Sequence, residues 1–336
     1  MQAAAWTADA RLALETRPDP EPAPGETLVR VLSTGICGSD LHFFRGEFPP
    51  PVGIAPGHEI AGIVEGGDGL PPGTHVAVNP LLGCLTCGDC RNGNVHLCSG
   101  RILTGIGAAG GLQQLLAIRR DNVHELPTGV DPALGSLAEP VAVCLRAVHL
   151  AQLPQGACSL VLGAGTIGLM SLLLLRDQCT EVAITARYPH QREAALALGA
   201  AHVFEPGGPE VRQWAKSRRP DAVFETVGGH ADTLKDAIMS VRAGGTVVAL
   251  GVFTGPAQVP AFRLVNDEIR LVGSIMYGHS GRQTEFGQAV DLLAKYSADL
   301  PRFQTATYPL AAANEAFEHA LDKSRNSLKI TIRPNA

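Results

Sequence analysis

Gly163-Ala164-Gly165-Thr166-Ile167-Gly168 follows the apolar strand Ser159–Leu162 and opens a helical stretch at Thr166. A lone G-x-G-x-x-G says little, because any glycine-rich turn in an α/β domain can match it. Between a strand and a helix it reads as a dinucleotide-binding loop. Gly163 permits the tight turn, Gly165 lets backbone approach a pyrophosphate, and Gly168 allows the helix to pack closely on the strand. The helix start at Thr166 and Ile167 offers free N–H groups and positive potential to the phosphates.

Outward from this loop the pattern is βα alternation. Apolar strands Ser159–Leu162, Val182–Thr185, Ala222–Glu225, Thr246–Leu250 and Ile269–Val272 alternate with helical stretches Thr166–Gln178, Gln191–Leu198, Ala231–Val241 and Thr284–Lys295. This predicts an α/β domain built on a doubly wound parallel sheet over about 146–276. Upstream, over 1–145, short alternating strands (Thr27–Ser33, His75–Val78, Gln114–Ile118) are broken by Pro/Gly clusters, which predicts a β-rich, barrel-like domain. The remainder, 277–336, adds a helix at Ala311–Leu321 and a strand at Leu328–Ile332.

An NAD-selective domain of this type ends its second strand with an Asp or Glu that binds the ribose 2′-hydroxyl. Here Val182–Thr185 is followed by Ala186-Arg187-Tyr188-Pro189, with Arg192 further on. An acid at Ala186 would repel a 2′-phosphate, whereas Ala leaves room, and Arg187 or Arg192 can hold the phosphate by charge-assisted hydrogen bonds. The expected cofactor is therefore NADP, with NAD usable. Gly251 and Ser274 complete the candidate cofactor-binding set.

The 336 residues carry a net charge of −5 and no long Lys/Arg run, so no nucleic-acid partner is expected. Gly (38) and Pro (24) exceed their usual shares of about 7% and 5%, in keeping with many turns. The N-terminal MQAAAWTADARLALE lacks a signal-peptide apolar region. The longest apolar run, 167–175, falls short of the ~20 residues a membrane span needs. A cytoplasmic protein with no membrane partner is expected. Of eight cysteines, four crowd into fifteen residues: Cys84-x2-Cys87-x2-Cys90-x7-Cys98. In a reducing compartment that spacing favours a closed tetrahedral zinc site over two disulfides. Its role would be folding energy for a lobe, 84–98, with little apolar content.

Three separate stretches offer a second donor set: Cys37 in GICGSDLH, His58 and Glu59 in PGHEI, and Glu139 in LAEPVAV. Each alone fits a packed or surface residue; together they suit a catalytic zinc with one open position. Cys144, Cys158 and Cys179 sit in apolar settings and read as core. Loops His42–Phe48 and Met276–Gly281 are candidate walls of a substrate pocket, with Phe43, Phe44 and Tyr277 as an aromatic wall or as core.

GICGSDLH, PGHE, the four-cysteine stretch, AEPVAV and GAGTIG stand in the order and spacing of the zinc-containing medium-chain dehydrogenase/reductase family, and the chain resembles its sorbitol (polyol) dehydrogenase branch. The resemblance spans the whole chain. It implies a GroES-like catalytic domain with an inserted Rossmann domain, and homodimers or homotetramers that pair the last Rossmann strand near Ile269–Ile275. It implies a catalytic zinc on Cys37 and His58, completed by Glu59 or Glu139 according to state. Ser39 matches the hydroxyl that hands the substrate proton towards the cofactor ribose, His42 the residue that passes such a proton to solvent, and Asp40 the carboxylate that orients the imidazole ligand. The implied reaction moves a hydride between the nicotinamide cofactor and a secondary alcohol or ketone, with a polyol, sugar-like molecule or amino alcohol as substrate. Met276 stands where sorbitol dehydrogenases usually carry Arg, which weighs against sorbitol itself. Two other readings keep the fold: a C=C or C=N reductase with only structural zinc, and a non-catalytic nucleotide-binding or structural protein.

Overall fold

The structure, a computed structural model, describes residues 1–280 and 283–336. The chain forms two compact units, Met1–Glu139 with Gly278–Ala336, and Pro140–Tyr277. The expected first boundary at 145/146 falls inside the helix Ala138–Ala151, whose apolar sequence hides the division.

In the first unit a seven-stranded sheet has the spatial order Gln304–Pro309, Lys329–Arg333, Glu26–Gly35, Glu59–Gly67, His75–Val78, Val123–Glu125, and Leu115–Arg119 also pairs with Glu26–Gly35. All its pairings are antiparallel except the first. Along Glu26–Gly35 every second residue is buried until the last three, which are all buried. Val29, Val31, Ile60, Val64, Val76, Val78, Leu116 and Ile118 form one core on this sheet. A second core gathers Trp6, Leu41, Phe44, Phe317, Ile330 and Ile332. Each such side chain contributes roughly 1.5–3 kcal/mol of burial, enough to fix the short helix Gly38–Phe44, which the strand-turn texture of this region conceals.

The second unit is a six-stranded, wholly parallel sheet ordered His202–Phe204, Cys179–Thr185, Ala157–Leu162, Ala222–Glu225, Thr246–Ala249, Arg270–Gly273. In chain order this is 3-2-1-4-5-6, the doubly wound arrangement that binds dinucleotides at its central crevice. The strand His202–Phe204 and the helix Pro209–Arg218 escape the sequence reading: three residues are too few to show alternation, and only Val211, Trp214 and Ala215 of that helix are buried.

The helical run Pro132–Ala151 adds a longer apolar segment, interrupted by Glu139 and Arg146. It is long and apolar enough by itself to cross a membrane, but 72% of its most apolar 18-residue window is buried inside the protein and it packs as core. Cys144 is buried as expected, whereas Cys158 and Cys179 are only partly so.

Candidate active site and metal centres

Gly163 holds φ at +100°, open to glycine alone at no steric cost. Its N–H donates to the Thr185 hydroxyl at 2.9 Å, tying the loop to the second strand. A Cβ on Gly168 would lie 1.9 Å from the Gly163 carbonyl oxygen, so the helix Thr166–Leu175 can approach its strand only with glycine there. Gly165 caps that helix and has nothing within 4 Å of where a Cβ would stand. The loop thus offers bare backbone at a helix start, the cradle that a pyrophosphate fits. Past the second strand, Ala186 is fully buried and Arg187 is exposed with no ion partner among the described residues. Arg192 is committed instead to Glu205 at 3.2 Å and the Val203 carbonyl at 3.1 Å. Ser274 is buried at the end of the last strand, and a Cβ on Gly251 would meet Gly228 and Glu225 within 2.4 Å.

The second constellation is assembled by strand register. Gly35 pairs directly with Glu59 at the end of the long strand, so Cys37, two residues on, stands beside His58 and Glu59. The ligand atoms of Cys37, His58 and Glu59 all lie within 4.8 Å of one another. Glu139 falls outside that set, although His58 and Lys329 feel its charge. Gly35 is indispensable here: a Cβ would come 1.9 Å from Glu59 Oε2. Gly57, at φ +93°, lets the PGHE turn pass Thr34 and Leu112.

Asp40 closes the constellation from behind. One carboxylate oxygen accepts from the Cys37 N–H at 3.0 Å, capping the helix, and the other lies 3.7 Å from His58 Nδ1. Both residues are nearly inaccessible, and neither His58 Nδ1 nor Asp40 Oδ1 has a hydrogen-bond partner among the described residues. With Nδ1 facing the carboxylate, Nε2 is the nitrogen left for a metal, the arrangement metal-bound histidines adopt.

The sequence reading missed Lys329. From the strand Lys329–Arg333 its ammonium donates to Glu59 Oε1 at 2.6 Å and to the Ile36 carbonyl at 3.0 Å, wholly buried. A lysine near the chain end carries no spacing signal linking it to position 59; the β-sheet alone brings them together. Burial by itself would lower this lysine's pKa, but Glu59, then Cys37 and Glu139, hold it above the usual value. Burial likewise pushes the Asp40 carboxyl up. For His58 burial favours the neutral ring, yet Asp40, Cys37 and Glu139 outweigh it and raise the imidazole well above its ordinary range. A thiol and three carboxyl groups around one lysine make a pocket short of positive charge. One soft and one borderline donor beside a carboxylate suit zinc.

The four-cysteine stretch is built locally. Cys84, Cys87, Cys90 and Cys98 have sulfurs within 4.8 Å of one another, and all are free thiols. The Cys87 N–H donates to Cys84 Sγ at 3.3 Å, and the Cys90 N–H to Cys87 Sγ at 3.4 Å. Hydrogen bonds from Thr86 and the backbone bring the Cys84 thiol down to about 5, whereas burial among the other thiols drives Cys90 up to about 12. Four sulfurs so placed cannot all ionise unless a cation sits among them, which fits a closed thiolate zinc site.

Ser39 lies in the first turn of the helix Gly38–Phe44, and His42 in its last turn, where Nδ1 meets the Glu47 carboxylate. Phe44 is core, packed on Phe317 at 5.2 Å between ring centroids; Phe43 is half-buried, and Tyr277 is buried in the other unit. Met276 is partly buried, and Gly281 lies outside the described residues.

Two families match this chain: "Alcohol dehydrogenase GroES-like domain" over residues 23–128 and "Zinc-binding dehydrogenase" over 166–295. The 2-dehydro-3-deoxy-L-galactonate 5-dehydrogenase of Pseudoalteromonas atlantica is 30% identical, over 94% of this chain and 93% of its own. A sorbitol dehydrogenase of Bacillus subtilis is 28% identical, over 100% of this chain and 98% of its own. Among solved structures, a protein from Sinorhizobium meliloti described as a zinc-binding dehydrogenase bound to NADP superposes with a TM-score of 0.90 at 29% identity, covering 99% of both chains.

Proposed function

This chain belongs to the zinc-containing medium-chain dehydrogenase/reductase family, in its sorbitol dehydrogenase-like branch, and on that premise we propose that it oxidises a secondary alcohol of a polyol, sugar acid or amino alcohol with NADP as preferred acceptor. The observation that carries the reading is the convergence of half-buried Cys37 with buried His58 and Glu59, with Asp40 behind the imidazole. The relatives that act on galactonate-type acids and sorbitol support the substrate class.

Cys37 and His58 would hold the catalytic zinc, with Glu59 or Glu139 as the third protein donor, and Cys84, Cys87, Cys90 and Cys98 the structural one. When bound in the first site, zinc supplies Lewis acidity that lowers the pKa of an alcohol hydroxyl. The nicotinamide supplies the hydride acceptor. The chain's own residues do the rest. Asp40 fixes the ring orientation of His58, and Lys329 engages one oxygen of Glu59, leaving the other as the candidate donor. Ser39 takes the proton leaving the hydroxyl, and His42 hands it to solvent. One hydride and one proton leave the alcohol, and a ketone remains. On the nucleotide side Gly165 and the start of the helix Thr166–Leu175 take the pyrophosphate, and Arg187 takes the 2′-phosphate.

The test is a screen of sorbitol, sugar acids, butane-2,3-diol and amino alcohols with NADP and NAD, following reduced nicotinamide absorbance, alongside zinc analysis. Turnover with about two zincs per chain is expected. One zinc per chain in an active enzyme overturns the catalytic-zinc reading. Homodimers or homotetramers belong to the same proposal. The helix Ala261–Asn266 exposes Phe262 (83%) and Val265 (76%), and just past the edge strand Arg270–Gly273 Ile275 is 60% exposed, an apolar edge that a second copy would cover. A monomer mass by light scattering at micromolar concentration refutes it. Four free thiols in one lobe suit a reducing compartment, which makes the cytoplasm the proposed location.

A further inference from the structure

His42 is held on three sides by one short turn. The helix Gly38–Phe44 ends at Arg45, Gly46 takes φ +72°, and the chain folds back so that the Glu47 N–H donates to the His42 carbonyl at 3.0 Å. That reversal needs the left-handed conformation glycine tolerates. It brings the Glu47 carboxylate against His42 Nδ1. The next residue, Phe48, lays its ring 5.5 Å from the imidazole, with Phe43 6.0 Å from Phe48. The His42 side chain is 12% exposed and that of Glu47 34%. The imidazole therefore has a fixed plane, with Nδ1 engaged and no hydrogen bond to Nε2 among the described residues.

We propose that Glu47 is a positioning residue of the proton exit: by accepting from Nδ1 it sets the His42 tautomer and leaves Nε2 as the ring's only proton acceptor. An ionised carboxylate can only accept hydrogen bonds, so the hydrogen between the two groups sits on Nδ1. The hydrogen bond to His42, aided by nearby Arg45, keeps Glu47 below the usual carboxylate range and so ionised. Arg45 also pairs with it at 3.5 Å. A ring held this way takes a proton at Nε2 without first rotating or exchanging tautomers, and the adjacent carboxylate stabilises the cation that forms. The step is a proton transfer only: the Nε2–H bond forms as the donor O–H bond breaks, and the imidazolium then gives a proton to water. A carboxylate that orients a histidine base is worth most when its replacement permits the wrong tautomer, as an amide does.

This inference rests on the relay role of His42 given above, and the experiment separates the two. Glu47→Gln, Glu47→Asp and His42→Asn are compared in single turnovers of NADP with the fastest alcohol of the screen. Selectively 15N-histidine-labelled protein reports the His42 tautomer directly. The expected result is a fall of about tenfold in the rate for Glu47→Gln, with KM within about twofold. Glu47→Asp should recover part of the rate. The Nδ1–H signature of His42 in the wild type should give way to mixed tautomers in Glu47→Gln. A Glu47→Gln rate within twofold of wild type, when His42→Asn has lost tenfold or more, overturns the positioning role and leaves the relay standing. An unimpaired His42→Asn removes the relay, and the role of Glu47 with it. An unchanged tautomer in Glu47→Gln overturns the proposal by itself.

Discussion

The four-thiol lobe and the Cys37/His58/Glu59 constellation both gather metal-ligating atoms within 4.8 Å, yet they are made in opposite ways. The lobe draws every donor from fifteen consecutive residues, leaves Cys84 exposed, and uses its own backbone N–H groups to place the sulfurs. The constellation draws on residues 37, 40, 58 and 59, and on Lys329 some 270 positions away, and buries nearly all of them. A site whose donors are close in sequence can serve folding by itself. A site whose donors are distant must be carried by a finished sheet, and its charges have to be balanced inside the protein. The contrast predicts that metal loss unfolds the lobe but only silences the constellation.

Cys90→Ser is the strongest way to break that contrast. With one thiolate gone, the lobe loses much of the zinc-binding energy that folds it, since structural zinc contributes about 10–16 kcal/mol in small finger peptides. The expected outcome is insoluble or aggregated protein on expression. A soluble Cys90→Ser variant with full zinc content would mean that the lobe folds on its apolar contacts instead.

His58→Ala attacks the other side. The protein should stay soluble and keep about one zinc per chain while turnover falls at least about a thousandfold. Zinc analysis and single-turnover rates read the two effects separately. Full activity in this variant would remove His58 from the chemistry altogether.

The same contrast explains what the sequence disclosed. Cys84 to Cys98 and Gly163 to Gly168 were legible because their geometry is local: donors or glycines within fifteen consecutive residues are brought together by short turns and one helix start. The role of Gly168 was legible for that reason, and its 1.9 Å conflict with the Gly163 carbonyl is what the motif encodes. Cys37, His58 and Glu59 could be nominated from their donor chemistry but not placed together, because nothing in their spacing says that Gly35 pairs with Glu59. Lys329 was invisible, since a lysine in a closing strand reads as an exposed residue. The role of Glu47 was not legible, although it falls in the loop His42–Phe48 named as a pocket wall. Its partner lies five residues back across a turn that only the positive φ of Gly46 reveals.

Lys329→Met sharpens the comparison at the level of stability. Removing one member of a buried pair leaves Glu59 uncompensated, which typically destabilises by about 3–5 kcal/mol. The chain's two tryptophans fall one in each unit, so a Trp214→Phe background lets Trp6 report the first unit alone. Urea unfolding followed by Trp6 fluorescence should show the loss in protein that keeps the lobe zinc but lacks the first-site zinc. It should shrink in zinc-loaded protein, where a cation again neighbours Glu59. An equal loss in both states would mean that Glu59 does not face the metal.

The smallest expected effect belongs to the nucleotide unit, and it tests whether local legibility extends to specificity. Ala186 is sealed beneath the strand end, so its methyl does not contact a ribose itself; its importance is that no carboxylate stands there. Arg187 is exposed and free of acid partners among the described residues, whereas Arg192 already serves Glu205 and two backbone carbonyls. Of the two arginines named from the sequence, the structure leaves Arg187 as the available phosphate ligand. A charge-assisted hydrogen bond is worth about 1.5–3 kcal/mol, or roughly 10–100-fold in affinity. Ala186→Asp with Arg187→Leu should therefore lower kcat/KM for NADP relative to NAD by about that factor, the Asp adding repulsion of the 2′-phosphate and a partner for the 2′-hydroxyl. Arg192→Leu alone should change the ratio by less than about threefold, because its guanidinium stays with Glu205. A wild type that prefers NAD tenfold would show that the missing acid at 186 does not set the choice. A large effect of Arg192→Leu would instead mean that the Glu205 pair opens when cofactor binds.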